Sequence, residues 1–437
     1  GHGWNYTRWG DEFPTAAQLD SAAPDHPLYL TSKSMHSAWM NSLALKLGNI
    51  THNTPDPDGG KIGRDEKGNL TGILFETAMD LMTARSYTAT SDSNSSAIPQ
   101  HTSEDVAQAM LKGQEAAWKV GLTGVHDFDG IRCFTAYQLL RERGQLGLRV
   151  HKNIPVAYLD HAIAIGLRSG FGDHWIRIGN VKVFMDGALG PRTATMIEPY
   201  EGEPNNYGIA ATDKETLYDY GRKAMMNGLA MTVHAIGDKA NHDLLDVYES
   251  LRQEESQLPI TNYSLRHRAE HLQILHPDDM ARVGKLKIIG SMQPIHATSD
   301  MNMVDKYWGK RGVYSYAWRD QLNNGAVLAF GSDSPVEPIN PLWGIHAAVT
   351  RRRADGSPSE NGWYPNQKLT VSEAVDGYTK GPAYAAYSER DRGSIEIDKL
   401  ADLTIVDRDL FTCDPMAIRD AKVLGTMVGG EFKFRTL

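Results

Sequence analysis

From residue 103 onward the chain alternates amphipathic helical segments with short apolar strand patterns, which restricts it to parallel βα architectures. Ser103-Glu-Asp-Val opens a helical pattern carrying Val106, Met110, Gly113, Ala117 and Val120, Gly121 stops it, and Leu122–His126 reads as a strand. Thr212-Asp-Lys-Glu215 is a capping box for a helix ending at Asn227-Gly228, directly before the strand Leu229–His234. Residues 239–253 are helical and precede a strand running to His271. A short helix from Pro277 to Val283 precedes the strand Lys287–Gln293, and a helix over Tyr314–Asn323 precedes Gly325–Asp333. That many consecutive units favour an α/β fold of the closed (β/α)8 TIM-barrel type over an open doubly wound sheet, and no Gly-x-Gly-x-x-Gly marks a dinucleotide fold.

The two ends of the chain read differently. Residues 1 to about 100 are rich in Gly, Pro, Asp and Ser, with turns expected at Thr54–Gly60 and Ser91–Ser96, so this stretch is expected as an irregular insertion in a barrel spanning 1–390. After 390 the alternation stops, and Gly393–Ile397, Ala401–Val406, Val423–Val428 and Glu431–Phe434 read as short strands of a small β-sandwich portion, 391–437. Its edges need partners, which points to self-association as a homo-oligomer or to further strands upstream of residue 1.

A chain of 437 residues can bury a barrel core and an accessory domain. The net charge of -9 arises from interspersed acids and bases, which argues against nucleic acid as a partner; Arg351-Arg-Arg353 reads as a solvated loop or helix end. Two cysteines without a Cys-x-x-Cys spacing give no disulfide framework, so a reducing, cytoplasmic setting is expected. There is no apolar run of about 18 residues, so no membrane partner is expected. The first residue is glycine, which suggests a processed or truncated product.

Three strand patterns end on metal-ligand types: His234, His271 and Asp333. One such histidine alone is more often structural; two with an aspartate on successive strands favour a zinc-like divalent site with an open position for water. Asp333 could take or pass a proton there. Lys182 interrupts the apolar pattern Ile178–Asp186, and a lysine there is either salt-bridged or solvated, or functional. Asp186 reads as a turn residue before Gly187, and His296 as either a satisfied loop histidine or an oxyanion contact. His126, beside Asp127, ranks lower; His242 and His276 read as surface residues. No Gly-x-Ser-x-Gly elbow or phosphate loop is present.

Val181-Lys-Val-Phe-Met-Asp-Gly-Ala-Leu-Gly-Pro-Arg-Thr-Ala194 resembles the lysine-bearing signature of the amidohydrolase superfamily, in its family-3, formamide deformylase-like branch. Val233-His-Ala-Ile-Gly-Asp238, Arg268-Ala-Glu-His271, Gln293-Pro-Ile-His296, Gly331-Ser-Asp333-Ser-Pro and Lys399–Val406 follow in the same order, and Gly3-Trp4 and His36-Ser-Ala-Trp-Met-Asn41 match near the start. The resemblance implies a (β/α)8 barrel with a composite sandwich that hydrolyses C–N bonds of small amides, formamides or cyclic ureas using one or two Zn2+ or similar ions. By motif position it makes Lys182 a ligand that can be carboxylated, His234 and His271 ligands, Asp333 ligand and proton shuttle, and His296 a transition-state contact. The chain departs from that pattern at two points: Asp398 stands where a glycine is usual, and none of its sixteen histidines forms the first-strand His-x-His pair, which relatives carry upstream of Gly-x-Gly-Trp. The leading expectation is therefore a metal-dependent hydrolase; the alternatives are a catalytically silent barrel acting as a binding or scaffold protein, and an isomerase or lactonase on the same metal chemistry.

Overall fold

The computed structural model describes residues 1–10, 12–82, 101–257 and 265–436, and the Ser91–Ser96 turn expectation lies outside them. The chain divides into one unit of Gly1–Gln100 with Met185–Asp213 and a second of His101–Phe184 with Lys214–Leu437.

The second unit is built on seven parallel strands: β6 (Gly124–Asp127), β7 (Arg149–Pro155), β8 (Ile176–Phe184), β9 (Met231–Ala235), β10 (Arg268–His271), β11 (Ile289–Met292) and β12 (Val327–Phe330). Their order in the sheet is their order in sequence. Helices bridge successive strands, as parallel pairing requires, and the longest follow the expected patterns closely: Ser103–Lys119, capped by a reciprocal Thr102–Asp105 box, and Asp238–Glu255. The sheet is strongly curled. β6 and β10 are four steps apart, about 19 Å in a flat sheet at ~4.8 Å per step, yet a guanidinium nitrogen of Arg268 on β10 lies 2.9 Å from His126 Nδ1 on β6. Only a sheet bending toward closure brings those two side chains together.

Several expected elements differ: the helix expected over Tyr314–Asn323 begins at Trp318, after a 3-10 stretch ending at Tyr314, and the one expected over Pro277–Val283 is a 3-10 turn, Pro277–Asp279, followed by the helix Arg282–Lys285. The strand ahead of Asp333 stops at Phe330, so Asp333 lies in the following turn with φ 56. Gly393–Ile397 makes no strand; Ile395 and Ile397 are almost fully exposed, with no neighbouring edge to complete a ladder among the described residues. The rest of the C-terminal region forms one three-stranded antiparallel sheet of β13 (Leu403–Val406), β14 (Val423–Val428) and β15 (Glu431–Arg435). Asp398 adopts φ 70, the left-handed conformation that explains why glycine suits this turn.

The first unit is more regular than its composition suggests. β1 (His2–Trp4), β2 (Tyr29–Ser32), β3 (Ser37–Met40), β4 (Gly60–Arg64) and β5 (Leu70–Glu76) form a sheet in the order β1-β2-β3-β5-β4. Both faces are covered: Ala38, Met40, Leu74 and Ile62 pack on one side, Trp39, Ile73 and Phe75 on the other with Trp4, Trp9 and Phe13. Buried Asn41 joins the edges of this layer, accepting from the amides of Leu28 and Ala44 and donating to the carbonyls of Ala23 and His26.

In the second unit, Arg149 at the start of β7 forms a two-armed ion pair at 3.0 and 2.9 Å with Asp402, just before β13, and both side chains are buried. Thr404 and Thr426 add hydrogen bonds from this small sheet to the carbonyls of Gly121 and Trp118. Removing one buried partner strands the other charge, so Asp402→Ala is expected to lower the unfolding free energy by about 3–5 kcal/mol. The double change Arg149→Met with Asp402→Leu is expected to recover most of that loss; chemical denaturation of the single and double variants checks both.

Candidate active site at the strand ends

Strand pairing decides which side chains share the inner face of the sheet. Thr232 on β9 donates to Glu270 on β10, so Thr232 and, two residues on, His234 point to the same side as Glu270. Simple alternation would turn His271 to the opposite side, with Ala269. Its φ of 75, followed by 47 at Leu272, breaks the alternation, and the His271 ring lies 4.6 Å from that of His234, nearly edge-on. These are uncommon conformations for residues with a Cβ.

The tautomer of His271 follows from its neighbour. The amide group of Gln293 faces the Ser291 carbonyl, so its Oε1 faces His271 Nδ1 at 2.9 Å and accepts that proton. With that proton on Nδ1, the neutral ring carries its lone pair on Nε2, the tautomer that a metal-ligating imidazole requires. His296, on the first turn of the helix Pro294–Tyr307, is buried, with its ring nearly parallel to His271 at 6.2 Å and no hydrogen-bond partner for Nε2 among the described residues.

Lys182 on β8 is 7% exposed, with its ammonium 4.4 Å from the ring centre of Phe184 and 5.0 Å from that of Phe128. Burial pushes its pKa down to about 8, against the pull of Glu270 and then Asp333, while Arg268 pushes the same way as burial. Phe184 also lies 5.1 Å from the His234 ring. The structure thus gathers Lys182, His234, His271 and His296. Asp333 is exposed, and its carboxylate reaches Lys182 electrostatically. Among the described residues no three His, Cys, Asp or Glu side chains are arranged to hold an ion. The two imidazoles suit a divalent ion, and a third ligand from this group depends on Lys182.

Several members of the cluster escaped the sequence reading. Arg268 pairs with Glu270 at 2.8 Å, off the line of a hydrogen bond, donates to Ser291 and contacts His126. The i, i+2 spacing of Arg268 and Glu270 in a four-residue strand is a legible signal, since it places both charges on one face. His126 is more central than its sequence rank suggested: its ring lies 4.8 Å from His151, and burial, followed by the neighbouring His151 and Arg268 charges, holds it well below the usual histidine range. His151 is buried with neither ring nitrogen hydrogen-bonded among the described residues. Asp186, expected as a turn residue, is fully buried and accepts from the Thr195 amide.

Lys182 carries a pH dependence whose sign can be worked out. Its amine titrates near 8 in the folded chain and 10.5 in the unfolded one, so the native state binds fewer protons between these values and stability rises with pH across that window. Below it, burying the ammonium costs roughly 3 kcal/mol. Lys182→Met is expected to stabilise metal-free protein at pH 7 by about 2–3 kcal/mol and to flatten the rise between pH 8 and 10, as read by denaturant titration across pH.

The chain matches the model of the amidohydrolase family over residues 1–434. It is 34% identical to Protein LONG AFTER FAR-RED 3 of Arabidopsis thaliana, covering 99% of this chain and 73% of that protein. It is 28% identical to the N-substituted formamide deformylase of Arthrobacter pascens, covering 96% and 76%. The crystal structure of an uncharacterized metal-dependent hydrolase from Pyrococcus horikoshii OT3 superposes with a TM-score of 0.71 at 29% identity, covering 95% of this chain and 78% of that one. With the match running nearly end to end, the chain belongs to the amidohydrolase family.

Proposed function

We propose that this chain is a metal-dependent hydrolase of small amide-type substrates, most specifically N-substituted formamides, cleaving the C–N bond. The observation that carries the reading is the pairing of two buried imidazoles, His234 and His271, 4.6 Å apart on adjacent strand ends, beside a buried lysine whose amine loses its proton near pH 8. The metal dependence named for the Pyrococcus horikoshii structure and the substrate named for the Arthrobacter pascens enzyme support it. The reading takes in a complete (β/α)8 barrel, of which seven parallel strands are described, a β-sandwich around β13–β15, and homo-oligomers formed through the edges of that sheet. A reducing, cytoplasmic setting is proposed on the unpaired Cys133 and Cys413. No helix among the described residues is long and apolar enough to cross a membrane.

In this reading His234, His271 and Lys182, if carboxylated on its amine, would hold the ion with Asp333, and zinc would suit these nitrogen and oxygen donors. A bound divalent ion supplies water acidified to near neutrality. The chain's own groups do the rest. A lysine amine that is neutral near pH 8 can attack carbon dioxide, whereas an ammonium cannot. Phe128 and Phe184 keep water from that amine. Gln293 holds His271 in the tautomer that offers Nε2. Asp333, in its exposed turn, takes a proton and returns it to the departing amine, and His296 donates from Nε2 to the oxyanion that forms at the carbonyl.

The test is hydrolysis of N-benzylformamide, with bound metal counted by elemental analysis. Chelation is expected to abolish turnover and added Zn2+ to restore it. Asp333→Asn is expected to lower kcat by about 10²–10⁴, and His296→Gln by about 10²–10³ with metal content unchanged. Gln293→Ala is expected to weaken metal affinity about 10–100-fold. Full turnover by Asp333→Asn would rule out its role, and a chain that neither binds metal nor turns over would favour the silent scaffold.

A further inference from the structure

At the end of the sheet away from His234 and His271, where the parallel strands begin, the second unit holds a cavity of about 460 Å3, within the roughly 300–1,000 Å3 of small-molecule sites. Leu322, Ala326, Val327 and Leu328, the last two on β12, give it an apolar lining, and Tyr384 of the helix Lys380–Ala385 adds an aromatic ring. Arg392 lines it from the loop that follows. Its guanidinium packs against Gly124, the first residue of β6, where a Cβ would lie 3.1 Å from Nη1.

The charges around this cavity leave one positive charge over. Glu373 accepts from Arg319 at 2.7 Å and Glu389 from Arg266 at 2.6 Å, Asp376 lies 3.0 Å from Lys380, and Lys399 donates to Ser394 and lies 3.6 Å from Glu396. Arg392 has no such partner among the described residues: its Nε donates to the Ser388 hydroxyl at 2.8 Å, and Nη1 and Nη2 meet no acceptor. The carboxylates whose charge it feels are committed elsewhere, Asp402 to Arg149 in the two-armed pair and Asp391 to Arg177 at 3.4 Å. Burial, opposed by Asp402 and assisted by Arg149 and Arg177, holds the Arg392 pKa down to about 10, so the guanidinium is charged at neutral pH. A partly desolvated cation beside an apolar cavity lacks a counter-charge, and a ligand can supply it.

We propose that this cavity is a binding site for a small monocarboxylate with an apolar body, its carboxylate held by Nη1 and Nη2 of Arg392 and its body packed on Val327, Leu328 and Tyr384. Two unpaired terminal nitrogens match the two oxygens of a carboxylate. The surplus is a single charge, and Glu373, Asp376, Glu389 and Glu396 line the same cavity, which disfavours a dianion such as a phosphate monoester. None of these residues belongs to the strand-end cluster, so the site stands apart from the hydrolase reading.

The test is isothermal titration of the full chain with phenylacetate and with 2-phenylethanol, a neutral counterpart of similar shape. Phenylacetate is expected to bind at least about tenfold more tightly. Arg392→Met is expected to bring the ratio of the two affinities close to one. Val327→Trp, which fills the cavity from a position already 37% exposed, is expected to weaken both ligands at least about tenfold and decides the matter independently of Arg392. His271→Ala, at the other end of the sheet, is expected to leave the ratio unchanged. Equal affinities in the wild type, a ratio that survives Arg392→Met, or affinities unchanged in Val327→Trp overturn the proposal. So does a ratio lost in His271→Ala, which would assign phenylacetate to the strand-end cluster instead.

Discussion

Two cations are buried on the inner face of the parallel sheet, Lys182 and Arg268, and one buried carboxylate, Glu270, faces both. Everything around the candidate site depends on that arrangement. A buried ammonium and guanidinium without a counter-charge would cost several kcal/mol each, yet Glu270 cannot neutralise two of them. The excess falls on Lys182, whose amine is driven toward its neutral form by burial, while Arg268 lies 2.8 Å from Glu270, donates to Ser291 and contacts His126. Because these partners sit on β6, β8, β10 and β11, the charge balance also constrains the curl of the sheet: flatten it, and Arg268 loses His126. The residues that curl the sheet and those that push the Lys182 amine toward its neutral form are therefore largely the same.

Periodicity reveals these elements unevenly, for physical reasons. Strand ends in the second unit were legible where an apolar run stops at a polar residue, as Leu229–Val233 does at His234; β10 is Arg-Ala-Glu-His, so His271 was legible only as the end of its motif. Helix limits were legible from caps, as at Thr102–Asp105. The five-stranded sheet of the first unit was hidden because both its faces are buried: Ser37-Ala-Trp-Met40 is buried at every position, which erases the alternation that would identify a half-exposed strand. At 393–397 the opposite occurred. A faultless alternating pattern formed no strand, since periodicity reports which side chains could face a core and says nothing of whether a pairing edge is there.

The candidate site was legible by type more than by geometry. Lys182, His234, His271 and His296 do converge, but Glu270, Arg268 and Gln293 are what set their charge and tautomer, and polar residues beside a motif are easily taken for part of its spelling. Asp333 shows the limit from the other side. Its motif is clear in sequence, but the strand stops at Phe330, and the left-handed turn that follows determines where the carboxylate points. A three-residue overhang is short in sequence and large in space, about 10 Å of chain if extended.

The strained backbones give a thermodynamic reason to treat the strand ends as poised for a ligand. Non-glycine residues with positive φ cost of order 1–3 kcal/mol each, and His271, Leu272 and Asp333 all carry that conformation in the second unit, as Glu76 does in the first. In the metal-free second unit the costs at His271, Leu272 and Asp333 add to that of the buried Lys182 ammonium. A ligand that binds only the folded state returns RT ln(1 + [L]/Kd), roughly 4 kcal/mol at a thousandfold excess over Kd. That is enough to offset two or three such residues. Strain at His271 is tolerable because the rotation that creates it is the one that turns the imidazole toward His234, and relaxing it would return the ring to the face of Ala269, where it could share no ion with its neighbour.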